Sequence, residues 1–287
     1  MADRLIEAEL RRAVSAVQAA DALLITAGAG MGVESGLPDF RSSPGAWQDY
    51  PALAHLKLQY EQLATPRWFA QDPALAWGFY WHKLQRYRRA TPHAGFDLLR
   101  GWAEAKPHGY FVFTSNVDGH FQKAGFDPER VVECHGSLHH LQCTMRCTDS
   151  LWSAEELALV IDETTWRTLP PLPSCPICGG LARPNVLLFD DDGWVHDRSE
   201  AQAARLDRWL VQGQEDSARL VIIECGAGVI VPSVRRYSER LVAQGATLIR
   251  INPQDCQVPR QQIALRMGAL EALQTMNLLV NQSNETN

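Results

Sequence analysis

The chain has 287 residues, 46% hydrophobic and 21% charged, with a formal net charge of -6. That length suits one large globular domain, or a large one carrying a smaller one, and the acidic balance argues against general nucleic-acid binding through phosphate neutralisation. No apolar run approaches the length of a membrane span, and Met1-Ala2-Asp3-Arg4 lacks the basic start and apolar core of a signal peptide. The expected setting is the cytoplasm, where the seven cysteines favour metal binding or burial over disulfides.

Residues 3–20 carry Leu5, Ile6, Leu10, Ala13, Val14 and Val17 at helical spacing and predict a helix. Ala22 to Ile25 is an apolar run long enough only for a buried strand. It breaks at Gly28, Gly30 and Gly32, where backbone can approach a ligand without an intervening side chain. A strand, a glycine turn and a helix start together present N–H groups and a positive helix end to phosphate. The glycine spacing misses the usual G-x-G-x-x-G, because Val33 stands at its last glycine position. Ser35-Gly36-Leu37-Pro38-Asp39-Phe40-Arg41 then places an acid, an aromatic and a base on a loop after a rigid proline.

Short helices and loops are expected over 47–70, a helix over 73–89 behind Asp72-Pro73, and another from Gly95 to Ala105. Tyr110 to Thr114 and Val131 to Glu133 have strand composition. Beyond them, residues 137–182 are rich in cysteine and proline, with a helical piece expected near Ala154 to Ile161. Strands are expected at Val186–Phe189, Arg219–Glu224 and Thr247–Ile251, and helices at Ser199–Val211, Val234–Gln244 and Ile263–Leu273. Asn281 to Asn287 would be a frayed tail. Apolar strands alternating with helices predict an α/β fold with a parallel sheet covered on both faces. Ligands in such folds bind beyond the carboxyl ends of the strands.

Cys143-x3-Cys147 and Cys175-x2-Cys178 are two knuckles separated by 27 residues. Each short loop brings two thiolates to one ion, which suits tetrahedral Zn²⁺. Four cysteines fill the coordination sphere and leave no position for a reactive water, so the metal is expected to be structural. His139 and His140 are close enough to compete as ligands. Cys134, Cys225 and Cys256 are expected to be small buried residues. Thr114-Ser115-Asn116-Val117-Asp118-Gly119 follows a strand, and Asn116 and Asp118 point the same way if the chain stays extended. The plainer account is a turn with Asp118 capping a helix. Glu133-Cys134-His135-Gly136 sets a histidine at a strand end just ahead of the cysteine module.

These motifs, in this order, resemble the sirtuins, the NAD-dependent protein deacylases. Residues 28–41 match the family's Gly-Ala-Gly-Ile-Ser-x-x-Ser-Gly-Ile-Pro-Asp-Phe-Arg except at Met31, Gly32 and Leu37. Thr114 to Asp118 resembles its Thr-Gln-Asn-Ile-Asp, and His135-Gly136 its His-Gly. The cysteine quartet, Arg183-Pro184-Asn185-Val186 and Ile251-Asn252 follow in the family's order, so the likeness spans roughly residues 20–255. It implies a Rossmann-like NAD-binding domain from 1–48, 91–137 and 183–287. A smaller domain would combine a helical module at 49–90 with a zinc module at 138–182. NAD and an acylated protein or peptide would meet in the cleft between them. By resemblance, Gly28, Ala29 and Gly30 border the diphosphate, with Gly226 and Gly228 nearby. Asp39, Phe40 and Arg41 form the cofactor loop. Ser115, Asn116 and Asp118 line the nicotinamide and ribose pocket, Asn252 contacts the adenosine ribose, and His135 is the general base, a role that suits imidazole. The products would be free lysine, nicotinamide and acylated ADP-ribose.

The chain departs from the family pattern at Ser115, where glutamine is usual, and at Gly32, where serine is usual. Gly226-Ala227-Gly228 replaces Gly-Thr-Ser, although a glycine turn still offers N–H groups to phosphate. Phe189-Asp190-Asp191-Asp192 replaces Phe-Gly-Glu in the segment that holds substrate peptide. Its acids suit a solvated turn, attraction of a basic peptide, or a different acceptor. Phe189 is a candidate substrate contact. Tyr80 and Lys83 share one helix face in a segment resembling the Tyr-x-x-Arg of sirtuins acting on acidic acyl groups, against the plainer account of an exposed lysine. The competing functions are NAD glycohydrolysis or ADP-ribosyl transfer in the same pocket, and a non-catalytic NAD or ADP-ribose binding module.

Overall fold

The computed structural model describes residues 2–38, 60–162 and 164–285. Its elements begin with α1 (Ala2–Ala19), β1 (Ala22–Ala27) and a 3-10 helix (Ala29–Ser35). Helices α2 (Tyr60–Leu63), α3 (Arg67–Gln71), α4 (Pro73–Arg89) and α5 (Gly95–Glu104) follow. Then come β2 (Tyr110–Thr114), α6 (His120–Lys123), β3 (Val131–Glu133) and β4 (Gly136–Cys143). Three short or mid-length pairs of strands close the middle of the chain: β5 (Trp152–Ser153) joins β4, β6 (Ile161–Asp162) joins β7 (Arg167–Thr168), and β8 (Ala182–Val186) also joins β4. The C-terminal part runs α7 (Asp197–Glu215), β9 (Leu220–Cys225), α8 (Ser233–Val242), β10 (Thr247–Ile251), β11 (Ile263–Leu265) and α9 (Ala269–Glu285).

Among the described residues the main sheet has six parallel strands in the order β11-β10-β9-β1-β2-β3. Every residue of β1 and β2 is buried, as the apolar runs require when both faces are covered. Side-chain alternation divides each strand between two cores. Leu23, Ile25, Val112, Ile223 and Ile249 pack with α1, α5 and α9, while Leu24, Phe111, Phe113, Ile222 and Leu248 pack with α7 and α8. Each such side chain contributes about 1.5–3 kcal/mol on burial.

The chain leaves β1 in one direction through β2 and β3, then returns to its other side as β9. The carboxyl ends of β1 and β9 are therefore the point where strand order reverses, the usual place for a ligand crevice. Here the two glycine turns touch backbone to backbone. Gly28 N–H donates to Cys225 O at 3.0 Å and Gly30 N–H to Gly226 O at 3.0 Å. A Cβ on Gly226 would lie 2.3 Å from Gly30 C and Met31 N, and Gly226 has φ +63.

A third core unites α4 with the strands of the cysteine-rich segment. Trp77, Phe79, Leu84, Leu138, Leu141 and Ala154 are among its members. Trp77 Nε1 donates to Ala182 O at 2.9 Å, Thr168 Oγ1 to Ala74 O at 3.1 Å, and Arg167 pairs with Asp72 at 2.6 Å. At Gly78 a Cβ would lie 1.9 Å from Trp166 O, so only glycine lets β7 lie this close to the helix.

Four expectations fail. No helix forms at 154–161; that stretch is turn and irregular chain before β6, and Arg88 caps its carbonyls at Ala154, Glu155 and Leu157. The strand expected at Val186–Phe189 lies earlier, at Ala182–Val186, because pairing with β4 outweighs the poor strand propensity of Arg183-Pro184-Asn185. The helix expected over Ile263–Leu273 is a strand and then a helix. Ile263 and Leu265 alternate against β10, and α9 starts only after Gly268. Nor is the tail frayed from Asn281, since α9 runs to Glu285. The loops expected over 47–59 lie outside the described residues.

Gly226→Ala should lower stability by about 2 kcal/mol or more, combining left-handed backbone strain with a backbone clash. Urea denaturation checks this; Gly245→Ala, with φ +103 but nothing within 4 Å of its Cβ position, supplies the strain-only reference.

Candidate functional site

Beyond the switch point lies a cleft of about 290 Å³ between the parallel sheet and the third core, lined among others by Ala29, Ser115, Asn116, Asp118, His135, Phe189 and Ser233. Thr114 ends β2 with its hydroxyl on Ala27 O (3.0 Å) and accepts Asn116 N–H (3.0 Å), which turns the chain. Asn116 Nδ2 then donates to Gly28 O at 3.0 Å, clipping the carboxamide to the glycine turn. Asp118 Oδ1 accepts His120 N–H at 2.9 Å. The turn account and the shared-face account therefore both hold: Asp118 stabilises a turn and also faces the cleft with Asn116.

His135 follows β3, and its Nε2 lies 3.0 Å from Ser233 Oγ. Its carbonyl accepts Leu187 N–H at 3.0 Å. Gly136 has φ +77, and a Cβ there would sit 2.1 Å from Asn185 O. Glycine after the histidine is thus what lets β4 close on β8 and presents His135 to the cleft.

A second cavity, of about 400 Å³, continues on the other side of the glycine turns. Gly30, Gly226, Gly228, Asn252, Glu34 and Asp255 line it. Gly228 has only Asp255 Oδ2 near its Cβ position, at 3.9 Å, so any side chain there would fill this space. Asn252 is 7% exposed, and its side chain is engaged with the backbone. Nδ2 donates to Ala227 O at 3.1 Å, and Oδ1 accepts Gln254 and Asp255 N–H. Its role in this structure is to fix both loops that form the cavity wall. Two cavities meeting at a turn with only the Ala29 methyl as a side chain fit an elongated dinucleotide, and Ala29 is common to both.

The expected cofactor residues Asp39, Phe40 and Arg41 lie outside the described residues. The turn that leads to them is secured by His93, a residue no sequence motif marked. His93 Nδ1 accepts Gly95 N–H at 3.0 Å, so Nε2 carries the hydrogen toward Met31 O, also at 3.0 Å. Burial pushes its pKa down, consistent with this neutral tautomer.

Two substrate-side expectations need correction. The acids at 190–192 are not simply a solvated turn, since the Asp191 side chain is wholly buried and pairs bidentately with buried Arg183 at 2.8 Å. It also accepts Leu188 and Gly193 N–H, so it shapes the segment behind Phe189. Removing one partner of such a pair would leave an uncompensated buried charge. No alternation of apolar residues could have marked Asp191, because its partner lies across a turn. Lys83, in turn, is not an exposed lysine. It is 4% exposed and lines the cleft, with Nζ 5.7 Å from the Tyr87 ring centroid. Tyr80 is buried, stacked on Phe69 at 5.6 Å. Phe189 lines the cleft, and its N–H donates to Ala64 O at 2.9 Å, tying this segment to the helical side.

The four cysteines converge. Cys143, Cys147, Cys175 and Cys178 place their sulfurs within 4.8 Å of one another, with closest approaches of 3.7 Å and 3.6 Å. Tetrahedral thiolates around Zn²⁺ stand about 3.8 Å apart for bonds near 2.3 Å, so the sulfur cage fits that ion. Backbone N–H groups of Cys178 and Ile177 lower the Cys175 pKa to about 7, while neighbouring sulfurs push the Cys147 thiol up. A divalent cation at the centre favours the thiolate at every position. His139 and His140 stand apart: His139 Nε2 bonds Asp118 O at 2.9 Å, and burial, then the Arg198 charge, brings His140 down to about 4. Cys225 and Cys256 are buried as expected, but Cys134 is half-buried.

The Sir2 family model matches residues 28–214. The NAD-dependent protein deacylase of Aquifex aeolicus is 32% identical over 236 residues, covering 81% of this chain and 84% of that protein. The NAD-dependent protein deacylase of Pyrococcus furiosus is 35% identical over 228 residues, 78% of this chain and 79% of that one. Among solved structures, a Sir2 homologue in complex with NAD superposes with a TM-score of 0.68 at 26% identity, covering 95% of this chain and 94% of that chain.

Removing the metal should collapse the cysteine module while leaving the parallel sheet folded. A strong chelator of Zn²⁺ is expected to release one equivalent per chain and to change near-UV circular dichroism, where Trp152 reports on β5, with little far-UV change. Retention of near-UV signal after full metal loss would contradict the structural role.

Proposed function

The chain belongs to the Sir2 family, and from that premise we propose how its own residues act in an NAD-dependent protein-lysine deacylase. NAD, when bound, is cleaved at its nicotinamide bond and supplies the ADP-ribose that takes the acyl group. The observation that carries the assignment of roles is the position of His135. It faces, across one cleft, the Asn116 and Asp118 pair and the glycine turn at the sheet's switch point.

His135 takes up a proton at Nε2 from a ribose hydroxyl: the O–H bond breaks, its electron pair stays on oxygen, and an N–H bond forms. Asn116, fixed by Gly28 O, and Asp118, fixed by His120 N–H, bound the nicotinamide and ribose region together with Ser115. Gly28, Gly30, Gly226 and Gly228 keep the diphosphate path open, Ala29 borders it with no more than a methyl group, and Asn252 holds the adenosine-side wall. Asp39, Phe40 and Arg41, which lie outside the described residues, keep the cofactor-binding role that the family resemblance implies. The smaller domain, from the α4 module and the zinc module, supplies the opposite wall of the cleft through Lys83 and Tyr87, while the strand-end segment supplies Phe189.

The protein partner is an acylated lysine in a peptide or protein. No described helix is long and apolar enough to cross a membrane. Four thiolates held for a metal suit a reducing compartment, and we assign the cytoplasm. Glycohydrolysis and ADP-ribosyl transfer rest on the acids at 190–192 marking a different acceptor; Asp191 is turned inward to Arg183, which leaves Asp190 and Asp192 as the exposed acids of that segment.

His135→Ala should lower kcat/KM for an acetyl-lysine peptide by about 10²–10⁴-fold, the range of a lost general base. Mass analysis of products should find acylated ADP-ribose with the parent protein. Free ADP-ribose formed equally without peptide would instead favour glycohydrolysis.

A second reading concerns the acyl group. Lys83 is a buried cation on the cleft wall beside Tyr87, where its positive charge would attract a carboxylate at the end of an acyl chain. Lysine offers a point charge without the bidentate fork of arginine, so the preference should be modest. Lys83→Ala is expected to reduce the succinyl-to-acetyl rate ratio severalfold; an unchanged ratio in paired peptide assays would end this reading.

A further inference from the structure

We propose that His93 is a positioning residue for NAD: from the start of α5 it holds the 3-10 helix whose residues line both cavities. This rests on NAD lying along the glycine turns. The 3-10 helix supplies Ala29 to both cavities, and Gly30, Val33 and Glu34 to the adenosine-side one. Its backbone bonds are poorer than those of an α-helix, so its position depends on what grips it from outside. His93 grips it twice. The ring Nε2 reaches Met31 O in the middle of the helix at 3.0 Å, and the backbone N–H donates to Ser35 Oγ at its end, also at 3.0 Å.

The imidazole is itself fixed. Its Nδ1 accepts Gly95 N–H at 3.0 Å, and a Cβ on Gly95 would lie 2.6 Å from the ring's Cε1, so glycine is what lets that N–H come so close. The Phe96 ring packs against the imidazole with centroids 5.0 Å apart, and His93 is buried. The base of the clamp is equally firm. Phe96, Leu99 and Ala103 of α5 are buried in the core that holds Leu23 and Ile25 of β1. The clamp therefore refers the 3-10 helix to the same sheet whose strand ends carry the glycine turns.

The two ring nitrogens have separable duties. Nδ1 serves α5, whose cap residue Ala94 makes no side-chain cap hydrogen bond, by accepting the N–H of the helix's first residue. Nε2 serves the nucleotide wall through Met31 O, which belongs to a wholly buried residue. Without the second bond the 3-10 helix would sample other positions, and only the fraction of molecules with the wall in place would bind NAD. Apparent affinity falls by that fraction. His135, Asn116 and Asp118 stand on other elements, so turnover at saturating NAD is left to them.

The test compares His93→Ala, His93→Asn and His93→Gln in the full-length, metal-loaded protein. Kd for NAD is measured by calorimetry without peptide, and KM and kcat with an acetyl-lysine peptide. Asparagine sets its amide near the place of Nδ1 and can still accept Gly95 N–H, whereas glutamine reaches the place of Nε2 and can still donate to Met31 O. His93→Ala and His93→Asn should raise Kd and KM for NAD roughly three- to tenfold, the scale of one lost hydrogen bond, with kcat within about twofold of the parent. His93→Asn should keep more thermal stability than His93→Ala, and His93→Gln should restore NAD affinity. Parental NAD affinity in His93→Asn would overturn the proposal. So would a loss of affinity that tracks thermal stability across the three variants and is not restored by glutamine. If the parent protein bound no NAD, the placement of the nucleotide would fail, and this proposal with it.

Discussion

The constraint on which both halves of the site depend is the backbone contact between the two glycine turns, Gly28 to Gly30 after β1 and Gly226 to Ala227 after β9. Main-chain atoms there are so near that a Cβ on Gly28, Gly30 or Gly226 would come within 2.8 Å of the opposite turn. The contact joins the two halves of the parallel sheet at the point where strand order reverses. It also divides the crevice into the cleft lined by His135 and the cavity lined by Asn252, with Ala29 at the edge of both. Asn116 and Asn252 are secondary to it: each uses its carboxamide to hold a carbonyl of these turns, Gly28 O and Ala227 O respectively.

Around that junction charge is placed with its partner. Arg250 and Glu224 are both wholly buried side chains from adjacent strands, and Glu239 adds a second carboxylate from α8. Arg183 and Asp191 form a comparable pair under the substrate-side segment. Buried pairs of this kind contribute little net stability against an apolar replacement, but losing one member is severe. Their effect here is geometric. The first fixes α8, and so Ser233; the second fixes the chain that carries Phe189. Lys83 differs in place: it is buried on α4 and lines the cleft itself.

Much of this was legible in the chain. The helix at Pro73–Arg89 and the strands Tyr110–Thr114, Val131–Glu133 and Thr247–Ile251 have the bounds expected from periodicity and composition. The cysteine spacing predicted a common ion site, and the sulfurs meet. Prediction failed where pairing between distant segments outweighed local preference. Arg183-Pro184-Asn185 is a strand only because β4 lies beside it, and Ile263 to Leu265 joins β10 although its surroundings have helical spacing. Asp191 looked solvated among three acids because the arginine that buries it is eight residues earlier, beyond any local pattern.

The sequence by itself determined the sheet class, the metal cage, the glycine turns and the residues that reach the cleft, since each depends on local spacing or on a short run of residue types. Only the tertiary structure decided which sides of those residues are used. It buried Lys83 on the cleft wall, turned Asn252 to the backbone, paired Asp191 with Arg183, and brought Ser233 to His135. Each of these depends on how segments fold back on one another, from the turn that returns Asp191 to Arg183 to the packing that joins α8 to the loop after β3. The glycine turn that first indicated only a phosphate cradle is, in the fold, the seam on which both halves of the site close.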